Sequence, residues 1–526
     1  MLKFSYRIRW SFTYTLLLLL MLIGCERPSP KTAVFVTPGQ ANQPPTPILT
    51  PFSGSNPQPP TPENPPAVAV AKPTYFGTPT PDNPHETAVS PNGNTTSNHT
   101  VAVGETLGYI AQLYGTTIED LLERNQLDNG DLLFVGQTLQ VPISAAQIGS
   151  DFKLIPDSEL VYGPAAAGFD IQNLVALHSG SLLNYEETVE DQLLSGSEIV
   201  SLVAHRFSVN PRLLLAALEY RAGWVTQVTG VIEQFPLGYR ASNKSGLYAQ
   251  LSWAANELNW GFYGRSEGGL NTFTISDGTR LGFAPTINDG TAGVQKWLGA
   301  HDAATYASWQ QDVGANGFWA TYNQLFGNPF AYTVDPLLPT DLRQPSLQLP
   351  WRDETWYFTG GPHGGWAAGS AWAALDFAPP GEQLGCAQSD SWVTAMGDGI
   401  VTRSGFGAVV VDLDSAATLA DGFASTGWAI TYMHLATRDR IPVGTPVQMG
   451  DRLGHPSCEG GFSNGSHVHV ARTYNGRWVA ADGESPFNMA GWISQGLGSE
   501  YEGILIRGTV TKETCLCWDE INAITP

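Results

Sequence analysis

The chain has 526 residues, and its 42% hydrophobic and 11% aromatic content is enough to bury more than one core. Lys and Arg number 26 against 48 Asp and Glu, a net charge of -22 with His neutral, which disfavours a nucleic-acid partner. Charged residues make up only 14% of the chain, whereas Gly and Pro number 57 and 37, a composition typical of extracellular, loop-rich proteins. We therefore expect an exported protein of several domains that binds no nucleic acid.

The first 25 residues predict an export signal and a lipid anchor. Lys3, Arg7 and Arg9 precede an uncharged apolar stretch, which is the order of a secretory signal, and the stretch is short for a membrane-spanning helix of about 20 residues. It ends in Leu22-Ile23-Gly24-Cys25, which resembles the lipobox of bacterial lipoproteins. In that family the cysteine becomes the first mature residue and carries lipid. The resemblance implies lipidation at Cys25 and a place in the bacterial cell envelope, anchored to the membrane and facing the cell wall.

Residues 26–98 are rich in Thr, Ser and Asn and contain nearly half of the 37 prolines. Such a composition cannot bury a core, so this stretch is predicted to be a disordered tether. At about 3.1 Å per residue when extended, it would reach up to roughly 200 Å, far enough to place a domain in a cell wall.

Residues 99–143 predict a small βααβ domain, with two amphipathic helices between a first and a returning strand. The segment resembles a LysM module through these motifs: Val103-Gly104-Glu105-Thr106-Leu107, Ile110-Ala111, Tyr114-Gly115, Leu121, Asn125, Val135-Gly136-Gln137, Leu139 and Val141-Pro142. The resemblance implies binding of glycans that contain N-acetylglucosamine, such as peptidoglycan. The implied glycan-binding groove includes Gly104, Glu105, Thr106 and Asn129.

Residues 150–347 are predicted to form a mostly α domain whose task the sequence leaves open. Helical periodicity covers the stretches 199–220, 246–263 and 292–325. A faint resemblance to lysozyme-like transglycosylases rests on Glu219 at a helix end and on the Ser245-Gly246-Leu247 motif that follows. In that family a lone Glu is the general acid and base. The alternative, which we favour, is that Glu219 is an ordinary residue at an exposed helix end.

Residues 348–526 contain five of the ten histidines, all between positions 363 and 469, among short β-branched runs separated by Gly. This pattern predicts an antiparallel β domain. In His467-Val468-His469 the alternation of a strand places both imidazoles on one face. Two imidazoles and a carboxylate can hold zinc and leave its fourth position open.

The stretch from Trp351 to Trp478 resembles the lysostaphin-type zinc endopeptidases of bacterial cell walls. The matching motifs are Pro362-His363-Gly364, Leu375-Asp376-Phe377, Val393, Ala395, Asp398-Gly399, Val401, Thr431-Tyr432, His434-Leu435, Val443-Gly444, Val447, Gly450, Leu453-Gly454 and Gly465-Ser466-His467-Val468-His469. The resemblance implies an antiparallel β metallopeptidase domain with Zn²⁺ as its cofactor. It implies that His363, Asp376 and His469 hold the metal, and that His434 and His467 are catalytic.

The sequence departs from this family in one place. Between His363 and Asp376 lie residues 364–375, a much longer spacing than is usual there. We expect this Gly-, Ala- and Trp-rich insert to loop out while its ends converge. A catalytically degenerate lipoprotein that binds or regulates the wall is the alternative. Because all five expected site residues have a candidate, we expect an active enzyme.

The four cysteines beyond Cys25 predict disulfides, since an even number in an exported chain is typical of them. Cys515 and Cys517 lie too close in sequence to pair comfortably with each other. We therefore expect each of them to pair with one of Cys386 and Cys458. A structural metal site is the weaker alternative, because no Cys-x-x-Cys spacing is present.

Together these features predict a multidomain peptidoglycan-binding zinc metalloendopeptidase that cuts stem peptides or cross-bridges of the cell wall. Its LysM module would bind glycan, its peptidase domain the peptide, and its lipid the membrane. The predicted parts are a lipoprotein signal peptide (1–25), a tether (26–98), a LysM module (99–143), a mostly helical domain (150–347) and a peptidase domain (348–526).

Overall fold

The structure is a computed structural model that describes residues 96–101, 106–113, 118–127, 133–134, 136–142, 147–230, 232–381, 385–413, 422–463 and 465–526. The chain divides into the units Met1–Ala69 and Val70–Pro526, and every described residue lies in the second. No helix within the described ranges is both long enough and apolar enough to cross a membrane. The predicted signal segment, with Cys25, lies outside them.

The first described elements are two strands and two helices in the predicted βααβ order. They are β1 (Thr96–Thr100), α1 (Leu107–Leu113), α2 (Ile118–Asn125) and β2 (Thr138–Pro142). The first strand was predicted to begin at His99, but β1 begins three residues earlier. Its partner β2 extends to Pro142, which the antiparallel register pairs with Thr96. The Asn125 side chain joins α2 to β2, since its Nδ2–H donates to Gln140 O over 2.8 Å. Of the predicted glycan-binding residues, Thr106 is described and exposed, whereas Gly104, Glu105 and Asn129 lie outside the described residues.

Residues 147–347, called the helical region below, contain seven α-helices and five short strands among their described residues. The helices are α3 (Ile171–His178), α4 (Gly196–Phe207), α5 (Pro211–Ala222), α6 (Leu247–Ser266), α7 (Asp289–Gly299), α8 (Tyr306–Asp312) and α9 (Phe318–Phe326). The strands are β3 (Gln147–Ile148), β4 (Glu186–Val189), β5 (Gln192–Ser195), β6 (Thr272–Thr274) and β7 (Arg280–Gly282). The stretch 292–325, predicted as helical throughout, is divided among three helices by two turns. A capping box between Ser195 and Glu198 begins α4.

The C-terminal part is built of antiparallel strands, as predicted. These are β8 (Trp356–His363), β9 (Ala374–Ala378), β10 (Val393–Thr394), β11 (Gly399–Gly405), β12 (Ala408–Asp412), β13 (Trp428–Met433), β14 (Pro446–Val447), β15 (Arg452–Gly454), β16 (Val468–Tyr474), β17 (Arg477–Trp478), β18 (Asn488–Met489), β19 (Trp492–Gly496), β20 (Gly503–Arg507), β21 (Val510–Glu513) and β22 (Ala523–Ile524). A nine-stranded sheet has the order β14-β11-β12-β13-β16-β9-β8-β22, with β17 beside β16. A separate four-stranded sheet contains β18 to β21.

The two faces of the large sheet pack against different cores. On β16, Val468 and Val470 face a core whose buried residues run from Leu347 to Ile524. His469 and Ala471 alternate with them, and Ala471 is part of the core of the helical region. Trp478 on β17 belongs to that same core and is 1% exposed. The sheet and the helical region are therefore joined by one continuous hydrophobic core on the face that bears His469.

The disulfides correct the predicted pairing. Cys386 bonds Cys458, with Cα atoms 5.6 Å apart, and Cys515 bonds Cys517, with Cα atoms 5.1 Å apart. A bend at residues 516–517 turns the chain enough for that close pair. Asn522 holds this bend in place, because its Nδ2–H group donates to the carbonyl oxygens of both Cys515 and Cys517. The predicted pairing was wrong because it considered only the sequence separation of Cys515 and Cys517 and not the bend between them.

Candidate functional site

The five predicted site residues lie together at the ends of neighbouring strands. His469 on β16 is directly opposite Asp376 on β9. On the other side of β16, His469 is opposite Met433, the last residue of β13, and His434 follows Met433 directly. His363 ends β8, and two register shifts in the pairing of β8 with β9 redirect that end of the strand. His467 immediately precedes β16. The antiparallel register therefore assembles these residues although 106 positions separate the first from the last.

Three side-chain atoms converge on one point. His363 Nε2 lies 3.0 Å from His469 Nδ1, and Asp376 Oδ1 lies 3.3 Å and 3.2 Å from these two nitrogens. Ligands about 2.0–2.1 Å from a tetrahedral zinc lie roughly 3.3 Å from each other, so these spacings fit a zinc ion. Asp376 Oδ1 is buried and accepts no hydrogen bond from the described residues. Within the described ranges this is the one cluster of three such groups suited to a metal.

Two backbone carbonyls set the tautomers of the paired imidazoles. His363 Nδ1–H donates to Gly361 O over 2.8 Å, which leaves Nε2 as the free lone pair. His469 Nε2–H donates to Gly365 O over 3.1 Å, which leaves Nδ1 free. Histidines that bind metals characteristically donate their other N–H in this way. Each free lone pair is therefore on the nitrogen that lies within 3.3 Å of Asp376 Oδ1, as a shared metal site requires.

Burial and mutual charge tune the titratable groups at the site. Burial alone would raise the pKa of Asp376, but the imidazoles of His363 and His467 hold that pKa well below its usual range. Burial opposes the charged form of His363, yet Asp376 raises its pKa overall. Burial lowers the pKa of His469. Burial, with the neighbouring imidazoles of His467 and His469, lowers the pKa of His434 to about 3. The site thus combines an ionised carboxylate at Asp376 with imidazoles at His434 and His469 whose neutral form is favoured by burial, and metal ligands bind in these deprotonated forms.

His434 and His467 lie beside the three converging atoms and outside their triangle. Their ring centres are 4.4 Å apart, and His467 Nε2 is 3.7 Å from Asp376 Oδ1. His434 Nδ1–H donates to Glu459 O over 3.0 Å, and His467 Nδ1–H donates to Gly465 O over 2.7 Å. In each ring Nε2 remains as the second nitrogen to contact a reacting group.

The long insert does not disrupt the site, because its ends are held as neighbours. His363 pairs with Ala374 across β8 and β9, so residues 364–373 form a loop, called the insert loop below. The expectation that the insert loops out while its ends converge is confirmed. Gly360, further back on β8, leaves space for the carboxylate, since a Cβ there would lie 2.6 Å from Asp376 Oδ2.

Tyr501 also contacts the site and was missed by the sequence analysis. Its ring stacks on His363 with centres 4.2 Å apart and planes 21° apart. Tyr501 N–H donates to Pro362 O, and Tyr501 O accepts from Gly361 N–H, so the backbone next to His363 fixes its position. Burial and the charges of Asp376 and Glu500 raise the pKa of its phenol to about 12. Tyr501 lies well beyond the matched motifs, and no local pattern marks it.

Glu219 has a structural role at the end of α5. Its carboxylate accepts hydrogen bonds from Val225 N–H at 2.9 Å, Thr226 N–H at 3.0 Å and the Thr226 hydroxyl at 2.5 Å. These bonds hold the turn that follows the helix. A carboxylate engaged in this way is not the isolated acid in an apolar pocket that the transglycosylase comparison requires.

Comparisons with known proteins match two segments of the chain to domain families. Residues 99–142 match the family model of the LysM domain, and residues 153–339 match that of the LasA N-terminal domain. The chain is homologous to Protease LasA of Pseudomonas aeruginosa strain PAO1, to which it is 25% identical over 366 residues, 66% of this chain and 78% of that protein.

Two further similarities cover smaller parts of the chain. A probable autolysin, SsaALP, of Staphylococcus aureus is 51% identical over 49 residues, 9% of this chain and 18% of that protein. The solved structure of the M23 metalloprotease pseudoalterin is 24% identical and has a TM-score of 0.26, covering 32% of this chain and 96% of that one.

Proposed function

We propose that this protein is a peptidoglycan-binding zinc metalloendopeptidase that hydrolyses peptide bonds in the stem peptides or cross-bridges of the bacterial cell wall. The convergence of His363 Nε2, His469 Nδ1 and Asp376 Oδ1 within 3.0–3.3 Å of one another carries this proposal. Homology to Protease LasA supports a peptidase. The LysM domain supports the wall as its substrate.

Each proposed residue has a distinct task. His363, Asp376 and His469 hold zinc, which when bound supplies a Lewis acid that makes water nucleophilic at neutral pH. His434 and His467 stand beside that position with their Nε2 atoms unengaged by a carbonyl. One of them accepts the proton of the attacking water, and the other stabilises the negative oxygen that develops on the peptide carbonyl.

The LysM domain is proposed to hold the enzyme on glycan strands through Gly104, Glu105, Thr106 and Asn129. Binding there would raise the local concentration of peptide substrate around the peptidase site. Lipidation at Cys25 is proposed to keep the protein at the cell envelope, facing the wall. Glycan binding and lipid anchoring are both proposed from sequence motifs, and each can be tested independently of the metal chemistry.

Zinc content and digestion of purified peptidoglycan test the proposal. We expect about one zinc per chain and release of new free amino groups, with both lost in His469→Ala. A chain that binds the wall tightly and leaves it intact would instead support the degenerate wall-binding alternative. The presence of all five site residues at contact distance argues against that alternative.

A further inference from the structure

The insert loop rests directly on the helical region. Gly369 N–H donates to Asn256 Oδ1 on α6 over 2.9 Å. Gly369 approaches that helix so closely that a Cβ on it would lie 2.3 Å from the Asn256 carbonyl oxygen and 2.9 Å from the Trp260 ring. Only glycine permits this contact between two backbones, and it fixes the loop relative to α6.

Two further contacts secure the base of the loop. The buried Trp366 indole lies 4.9 Å from the Arg206 guanidinium carbon and 6.4 Å from the Phe207 ring, both on α4. Gly365 packs on Trp478, because a Cβ at this glycine would lie 2.6 Å from that indole. The indole Nε1–H of Trp478 in turn donates to Phe207 O over 3.2 Å. Two helices thus support one short loop.

Hydrogen bonds within the loop make it a single rigid turn. Gly365 N–H donates to Ala371 O over 3.0 Å, Trp366 N–H donates to Ser370 Oγ over 3.0 Å, and the Ser370 hydroxyl donates to Ala367 O over 2.8 Å. A displacement at Gly369 therefore moves Gly365 as well. Gly365 O is the acceptor that orients His469.

We propose that α6 of the helical region positions the metal ligand His469, acting through Asn256, the insert loop and the Gly365 carbonyl. The inference rests on the proposed function, since it assigns a role toward the zinc held by His469. Asn256 is a positioning residue, because its side chain acts on His469 through Gly369 and the rest of the insert loop. A metal-bound histidine is commonly oriented by an acceptor for its second nitrogen. Loss of that acceptor typically lowers metal affinity about 10–100-fold.

The test measures zinc affinity of the full chain by competition with a chromophoric chelator. Asn256→Ala removes the acceptor for Gly369 N–H and retains a good helix former, and we expect zinc affinity to fall about 10-fold. Asn256→Asp retains an acceptor oxygen and should restore the affinity. Asn323→Ala, at an exposed site on α9, is the matched control and should change nothing. Ser370→Ala loosens the loop from within and should act like Asn256→Ala.

Two additional readouts separate positioning from general damage. The melting temperature of the metal-free chain identifies any variant that merely unfolds, and the absorption spectrum of the Co²⁺-loaded chain reports a change in ligand geometry. Wild-type zinc affinity and an unchanged Co²⁺ spectrum in folded Asn256→Ala and Ser370→Ala would overturn the inference. If His469→Ala also left zinc affinity unchanged, the proposed function itself would fail, so the two failures are distinguishable.

Discussion

Asp376 Oδ1 lies 3.2 Å from His469 Nδ1 because the two residues face each other across β9 and β16. Cross-strand neighbours in an antiparallel sheet are held at a fixed spacing, so the pair is preorganised by the sheet. His363 joins the pair from β8, the next strand along. Three proposed ligands on three adjacent strands give a site whose geometry depends on sheet register more than on loop conformation.

The first prediction concerns the proposed metal ligands. His469→Ala removes one of three converging donors and should weaken zinc binding by more than about 100-fold. His455→Ala is the control, because His455 is similarly buried but donates to Ser391 O and lies against the Trp392 ring, outside the site. Zinc content after dialysis distinguishes the two variants. Equal zinc loss from both would mean that burial, and not coordination, explains the result.

The second prediction concerns Tyr501, whose ring stacks on His363. Tyr501→Ala removes a contact of about 0.5–1.5 kcal/mol and should weaken zinc binding about 2- to 10-fold. Tyr501→Phe keeps the ring and should bind zinc like the wild type. Equilibrium competition with a chelator measures both variants. Loss of affinity in Tyr501→Phe would show that the hydroxyl, and not the stacked ring, supports the site.

The third prediction concerns Trp478, which joins the sheet to the helical region. Trp478→Ala should lower the free energy of unfolding by about 3–5 kcal/mol, because it empties a fully buried site. Trp518→Ala, at a tryptophan that is 40% exposed, should lower it much less. Urea denaturation followed by fluorescence and circular dichroism measures both. Similar losses in the two variants would contradict a core shared by the two parts.

The fourth prediction compares the two disulfides. Cys386 and Cys458 are 72 positions apart, and closing such a loop stabilises the folded state by about 4 kcal/mol in the chain-entropy model. Cys458 also precedes Glu459, whose carbonyl orients His434. Replacing both cysteines of this pair with Ser should therefore lower the melting temperature and the activity more than replacing Cys515 and Cys517. The reverse order would show that the C-terminal pair matters more for the fold.

Much of the local structure follows from sequence pattern. The β-branched run at 408–412 predicts β12 as it stands. The alternation in His467-Val468-His469 predicts that both imidazoles lie on one face, and both rings lie within 3.7 Å of Asp376 Oδ1. Patterns of this kind depend on side-chain periodicity along one element, which the sequence displays directly. The clustering of His363, Asp376 and His469 was predicted from family resemblance alone. The three residues lie on different strands, so the periodicity of one element cannot bring them together.

Features that depend on contacts between distant segments were not predictable. The stacking of Tyr501 on His363 comes from pairing of backbone groups around Pro362, and no local motif signals it. The pairing of Cys515 with Cys517 depends on a bend held by Asn522. The role of the insert loop is similar, since its partner Asn256 lies 113 positions away. Each case needs the fold before the contact is apparent.

The most direct test of the account uses His434→Ala together with the wild-type chain on purified peptidoglycan. We expect the variant to retain about one zinc per chain, because His434 lies outside the three converging donors, and to release new amino groups about 10²- to 10⁴-fold more slowly. The wild type should lose that activity to a chelator and recover it with zinc. Undiminished release by His434→Ala, or by the wild type without metal, would contradict a zinc peptidase at this site.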